Sequence, residues 1–334
     1  MPSKEKQSTL IGVGSPIVDS IAHVTEAFIA DIAGAKGGME LVNASEMKAL
    51  IESIEGPIVA SPGGSAGNTT FAVSRMGLAS KFLGKLGHCQ QGQWYRQQFE
   101  KQGGNSGSFK VAGQANGHCL SMVTPDGERT MRTDLGAAMQ LSPDEISVDD
   151  FLDCQHAHFE GYLLFNEALT RKLLSCAQAA NCTISLDLAS FEVVQASKSI
   201  LPGLLEKYVD IVFANEDEAT AFCGAGQDYA AMAQALQRFC SIAAVKMGAA
   251  GAYIADGQSI QAISADKVDT VVDTTAAGDL WAAGFLYGWL QQWPLSTCAQ
   301  LGAKMGAAVV QIQGSQLPAA TWEHLMQWAH TKSL

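Results

Sequence analysis

The 334-residue chain predicts an α/β architecture: a doubly wound, mainly parallel sheet flanked by helices, with a small β-sheet beside it. Three observations carry that expectation. Short apolar runs of strand length alternate with longer helical stretches, the pattern of strand–helix–strand units. Apolar residues make up 47% of the chain and charged residues only 16%, as strands buried on both faces require. The 33 glycines suit the many tight turns that join such units.

Taken in order, the first strand falls at 10–13. A short apolar segment at 58–60 runs into the turn Ser61-Pro-Gly-Gly-Ser-Ala-Gly-Asn68, followed by a helix at 69–76 and a buried strand at 81–86. Further strands are expected at 157–159, 183–186, 211–214, 243–245 and 251–254. Helices fall between or after them at 166–180, 216–223, 228–239 and 280–291. Ligands of such sheets bind beyond the carboxyl ends of strands, which is where Asp187, Asn215, Lys246 and Gly248 lie on this reading. Two stretches break the alternation. Short alternating pieces surround Gly34, Gly37 and Gly38 at about 20–42, and 108–133 carries the turn sequence Pro125-Asp-Gly-Glu128. Both are expected to build the small sheet. No linker, repeat or low-complexity tract divides the chain, so 1–334 reads as one domain although its length admits two.

Composition excludes several function classes. Lys and Arg number 21 against 33 Asp and Glu, a net charge of −12 that repels nucleic-acid phosphates. The eight cysteines are scattered without a C-x-x-C pair, which fits reduced thiols in a cytoplasmic protein rather than a disulfide framework or zinc site. Residues 1–10 are polar and charged, unlike a leader, and no apolar run reaches membrane-spanning length.

Two motifs carry chemistry. Asp273-Thr-Thr-Ala-Ala-Gly-Asp279 precedes the apolar stretch 280–290. Ala276, Ala277 and Gly278 have almost no side chain, so their N–H groups can close on an anion at the positive end of the following helix. Asp279 then stands beside the anion rather than in it. Phosphoryl transfer needs that pairing of donors with a base for the attacking hydroxyl. A plain Asp cap before a buried helix is the competing explanation. In the second motif Gly63 and Gly64 let the backbone approach a ligand, and Asn68 supplies a donor and an acceptor. A Gly-rich strand-to-helix turn is common in α/β proteins, so this motif is weak by itself.

Together the motifs resemble the paired signatures of the ribokinase/PfkB family of carbohydrate and nucleoside kinases. Asn215-Glu-Asp-Glu218 between them matches that family's Asn-x-x-Glu element. The resemblance spans essentially the whole chain; Ala276 stands where many members have Gly. It implies a ribokinase-like fold in which the small sheet is a lid over the site, and a reaction that uses ATP and Mg2+. It implies Asp279 as catalytic base, with Ala276, Ala277 and Gly278 as the anion hole. Asp19 matches the substrate carboxylate that accepts from two sugar hydroxyls, with Gly63, Gly64 and Asn68 completing the grip. Asn215 and Glu218 match the residues that organise magnesium through water. Lys246, Gly248 and Gly251 resemble the segment lining the nucleotide phosphates, and Asp273 is expected to fix the anion-hole turn. An aspartate of ordinary pKa, about 4, is a feeble base for an alcohol. The loose transition state demands little deprotonation until late.

Other nucleotide folds fit less well. There is no G-x-x-x-x-G-K-[ST], and Gly12-Val-Gly14 is followed by Ile17 where a dinucleotide fingerprint needs Gly. His156 and His158 alternate along a strand beside Glu160, where metal binding competes with the commoner reading of strand-edge polar residues. Trp281, Trp289 and Trp293 are expected to pack in the core or between subunits. The stretches 12–19, 36–42, 124–131, 135–137 and 160–164 look like the adenosine-kinase branch. The expected acceptor is therefore the 5′-hydroxyl of a ribonucleoside such as adenosine, with Cys119, Met122 and Tyr162 as candidates for the base slot. A sugar kinase for ribose, fructose or 2-keto-3-deoxygluconate is the alternative, Arg132 being the cation for a sugar acid. A non-catalytic nucleoside or ATP sensor is the reading from another class. A homodimer is compatible, since a lid of this kind is self-contained in some relatives and paired in others.

Overall fold

A computed structural model describes residues 9–126 and 128–332. Residues 1–8, which carry most of the argument against a leader, and Gly127 of the expected turn lie outside the described residues.

The central sheet has eight strands in the spatial order Ile260–Ile263, Ala252–Ala255, Ile242–Lys246, Ile211–Asn215, Thr183–Asp187, His156–Glu160, Thr9–Val13 and Ala79–Leu83. The six from Ile242–Lys246 to Ala79–Leu83 run parallel; Ala252–Ala255 and Ile260–Ile263 add an antiparallel hairpin at the other edge. Alternate residues feed two cores. Leu186 and Val212 point to one face, against helices Glu167–Ala179, Leu201–Tyr208 and Tyr229–Gln237. Ile211 and Phe213 point to the other, against Ala277–Leu290 and Leu295–Val309. Burying one such Phe or Leu side chain contributes about 1.5–3 kcal/mol. Trp281 stacks on Phe285 at 5.5 Å and Trp293 is buried, so both pack in the core as expected.

The chain leaves Thr9–Val13 for Ala79–Leu83 on one side and later returns to His156–Glu160 on the other. At this switch point the carboxyl ends diverge and open a crevice.

A second sheet has the order Met39–Leu41, Arg129–Asp134, Gly117–Val123, Ile17–His23 and Ile58–Pro62. Helices Glu26–Asp31 and Ala44–Ser53 cover one face, where Ala22, Ile29, Met47, Leu120 and Met122 form a small core. Ile58–Pro62, read as an apolar segment before the glycine turn, is an edge strand of this sheet. Lys110–Ala112 does not join it but pairs with Lys85–Gly87. The expected strand 81–86 is interrupted at Gly84, where a Cβ would lie 2.4 Å from the Gly14 carbonyl. Helices expected to start at 69 and 280 begin earlier, at Ser65 and Ala277, so both glycine motifs end inside a first helical turn. Among the described residues no helix is long and apolar enough to cross a membrane.

Candidate active site

The two motifs meet at the switch point. Asp279 is the third residue of helix Ala277–Leu290. Ser65 Oγ donates to its Oδ1 at 2.8 Å and Asn68 Nδ2 to its Oδ2 at 2.9 Å, while Thr69 Oγ1 donates to its carbonyl at 3.0 Å. All three donors sit on helix Ser65–Arg75, so the N-terminal motif aims the carboxylate of the C-terminal one. Burial raises the Asp279 carboxyl to about 6 against the two hydrogen bonds that lower it. The ordinary value expected from sequence is therefore corrected upward.

Ala276 caps the helix in the left-handed region, φ 60°, a conformation costing an L-residue roughly 1–2 kcal/mol. The Ala277 N–H is bonded to the Thr274 carbonyl. The N–H groups of Ala276, Gly278 and Asp279 have no partner among the described residues and lie at the helix's positive end. Asp273 fixes this turn, accepting from Thr275 N at 2.9 Å, Thr275 Oγ1 at 2.7 Å and Gly314 N at 2.9 Å.

Asp19 projects from the second sheet and faces the same crevice. Its carboxylate receives no hydrogen bond among the described residues, and burial with nearby Asp279 raises it to about 7. Gly63 lies against it: a Cβ there would be 2.1 Å from Asp19 Oδ2. Gly64 has φ 84° and caps helix Ser65–Arg75. Asn68 is 6% exposed, and its Oδ1 has no partner. The Asp19 carboxylate thus offers acceptors to hydroxyl donors, and the buried Asn68 amide oxygen has unused acceptor capacity beside Asp279.

On the other flank, Asn215 and Glu218 form a capping box. Glu218 accepts from Asn215 N at 2.8 Å and Asn215 Nδ2 at 2.7 Å, and Asn215 Oδ1 accepts from Glu218 N at 2.9 Å. Burial and the Asp187 carboxylate push Glu218 up to about 7. Lys246 Nζ donates to Asp187 Oδ2 at 2.8 Å; burial opposes its charge, but Asp187 and Glu218 outweigh that and raise its pKa. The same ammonium lies 3.0 Å from where a Gly278 Cβ would stand, so Lys246 abuts the anion-hole turn. Gly248 and Gly251 bound the turn after the strand, and Gly251 closes on the Ile263 carbonyl. Beyond it lies a cavity of about 400 Å³ lined by Ile263, Ala265, Ala303, Lys304 and Trp328.

Several groups at the site carry no local signature. Glu160 ends its strand 1% exposed and accepts from Ser15 N at 2.8 Å and Ala66 N at 3.2 Å. Arg129 reaches from the second sheet to Asp273 at 2.9 Å. Ser65 and Thr69 complete the set, and Asp187, expected at a strand's carboxyl end, lies beside them. Ser65 lies inside the glycine motif, Glu160 ends an apolar strand, and Arg129 lies in the stretch 124–131 that resembles the adenosine-kinase branch.

Four sequence candidates fall elsewhere. Arg132 is 2% exposed on the opposite face from Asp19, bonded to the carbonyls of Ala33 and Met131, so it meets no acceptor in the crevice. Met122 packs in the covered core. His156 and His158 are fully buried in a chain with Thr183 and Ser185, at 3.0, 2.7 and 2.8 Å, and are not arranged as metal ligands. Cys119 and Thr133 do share the Asp19 face, directly across the ladder. Tyr162 stands 44% exposed in the turn that follows Glu160.

Residues 48–322 match the family described as pfkB family carbohydrate kinase. Adenosine kinase of Saccharomyces cerevisiae is 26% identical over 333 residues, covering 92% of this chain and 96% of that protein. The structure of adenosine kinase from Sinorhizobium meliloti superposes with a TM-score of 0.85 at 31% identity, over 97% of this chain and 99% of that one. A probable sugar kinase from Rhizobium etli gives 0.86 at 30%, with the same coverage.

Proposed function

The chain belongs to the pfkB family of carbohydrate kinases, and from that premise we propose that it phosphorylates the 5′-hydroxyl of a ribonucleoside, adenosine first. It is a phosphotransferase that acts on a sugar or nucleoside hydroxyl, and the family implies ATP as the donor. The observation that carries the finer reading is the Asp19 face of the second sheet. Ser61, Asp19, Cys119, Thr133 and Leu41 form one row across it, with Ile21, Ser121, Met131 and Met39 in the next. A polyol clamp flanked by apolar side chains suits a ribose bearing a flat base. Full-length similarity to two adenosine kinases supports the same reading.

In this proposal Asp19 accepts from two ribose hydroxyls, and Gly63, Gly64 and Asn68 complete the grip. That holds the 5′-hydroxyl at Asp279. Ser65 and Asn68 keep the Asp279 carboxylate oriented as it takes the hydroxyl proton. The free N–H groups of Ala276, Gly278 and Asp279, together with Lys246, face the charge that spreads over the transferred phosphoryl oxygens. The cavity beyond Gly251 suits the adenine of the donor, with Gly248 and Gly251 along its phosphates. The second sheet acts as a lid, tied to the anion-hole turn by Arg129.

Magnesium fits this site. Among the described residues Asp19, Glu160, Asp187, Glu218 and Asp279 have Lys246 and Arg129 as their neighbouring cations, so a polyphosphate needs added positive charge. Both Glu218 oxygens are engaged by Asn215, and no cluster of three or more metal-binding side chains exists among the described residues. Such an ion, held by Asn215 and Glu218 through water, would neutralise the phosphates. A reducing cytoplasm suits the eight unpaired cysteines.

A sugar kinase is the second reading, favoured by the likeness to the Rhizobium etli protein. The test is product formation from magnesium-ATP with adenosine, inosine, guanosine, cytidine, ribose, fructose and 2-keto-3-deoxygluconate, each product identified by mass. Preferred turnover of a nucleoside supports the proposal, and turnover of a free sugar alone overturns it.

A further inference from the structure

We propose that Glu160 is a positioning residue for the reaction: its buried carboxylate fixes the two segments that carry the acceptor clamp and the base. It acts through them rather than on substrate, and this rests on the assignment of Asp19 and Asp279 above. Glu160 stands at the switch point, on the strand beside Thr9–Val13. One oxygen accepts from Ser15 N, at the start of the link to the Asp19 strand. The other accepts from Ala66 N in the first turn of the helix that presents Ser65, Asn68 and Thr69 to Asp279. One carboxylate therefore sets the spacing between the acceptor clamp and the catalytic base. Two backbone N–H donors suit an anion, and a neutral carboxyl would bond them more weakly.

The fold reserves room for this group. A Cβ on Gly14 would stand 2.2 Å from Glu160 Oε2, so the glycine before Ser15 leaves the space that the carboxylate fills. Glu160 and Asp279 also repel each other, and burial raises Glu160 to about 7. Asp19 and Glu218 are raised to about 7 as well, so the acid limb of activity carries a Glu160 step alongside theirs and above that of Asp279. Protonation of Glu160 loosens Ser15 and Ala66.

The test compares Glu160→Gln and Gly14→Ala with the native protein on whichever alcohol it turns over, from about pH 5 to about pH 9. Loss of a charged hydrogen bond predicts a fall in kcat/KM of about tenfold or more for both variants. In Glu160→Gln the Glu160 step disappears and the acid limb moves to lower pH. Gly14→Ala displaces the carboxylate and reproduces the loss with Glu160 still present. A role confined to packing would lower the melting temperature and leave the acid limb in place. A Glu160→Gln acid limb that coincides with the native one overturns the proposal. If no alcohol is turned over, the functional reading fails by itself. Carbon-13 NMR titration of the Asp279 carboxyl then decides for Glu160: a lower midpoint in Glu160→Gln supports the coupling, and an unchanged one refutes it.

Discussion

Asp279 owes its orientation to two donors from a segment more than 200 residues away in sequence, Ser65 and Asn68. The hydrogen bond from Asn68 lowers the Asp279 pKa against burial. Asn68→Ala is expected to move the acid limb of kcat to higher pH, because the ionised base then persists only at higher pH. It should also cost about tenfold or more in kcat/KM, since a charged hydrogen bond and one clamp acceptor are lost. A pH–rate profile checks both. Asp19→Asn should raise KM more than it lowers kcat, because Asp19 grips the acceptor and leaves the reacting oxygen to Asp279; steady-state kinetics separate the two. At this scale the sequence was informative wherever partners are neighbours. Asp273, Ala276, Ala277, Gly278 and Asp279 form one turn, and Asn215 and Glu218 one capping box. Glu160 and Arg129 were not legible as site residues, because their partners Ser15, Ala66 and Asp273 are joined to them only by the fold.

At the level of elements, the helix that carries Asp279 is held by close contact with its successor. A Cβ on Gly302 of Leu295–Val309 would stand 2.7 Å from the Trp281 carbonyl, and one on Gly284 would stand 2.8 Å from Gly302 N. Neighbouring backbone cannot yield as a flexible side chain can. Gly302→Ala should therefore destabilise by about 1–3 kcal/mol, read by thermal or denaturant unfolding. The strand–helix alternation identified the parallel strands well, since buried runs such as Ile211–Asn215 are apolar on both faces. Ile58–Pro62 was harder to place. Its mostly unburied pattern, with Val59 65% exposed, marks an edge strand, and nothing local says which sheet it joins. Strand pairing over long sequence separations is a tertiary choice, so the second sheet was legible only as two irregular stretches.

The whole molecule gathers carboxylates around one crevice while carrying a net charge of −12. Asp19, Glu160 and Glu218 are raised to about 7 and Asp279 to about 6. A raised folded-state value means that folding favours the protonated form. Their contribution to stability is complete below the unfolded values of about 4 and is lost as pH rises through about 6–7. The melting temperature of the protein alone should therefore fall by several degrees between about pH 5 and about pH 8, at about 2–4 °C per kcal/mol. Magnesium-ATP should restore more of it at the higher pH, where the crevice is most negative. A scan that is flat or rising across that window would contradict this balance. The most direct test of the central claim is single-turnover formation of nucleoside 5′-monophosphate by the native protein and Asp279→Asn, with nucleoside affinity measured beside it. The account predicts a rate lower by about 10²–10⁴-fold and an affinity little changed, because only the base is removed. A variant that transfers the phosphoryl group at the native rate would show that Asp279 is not the base.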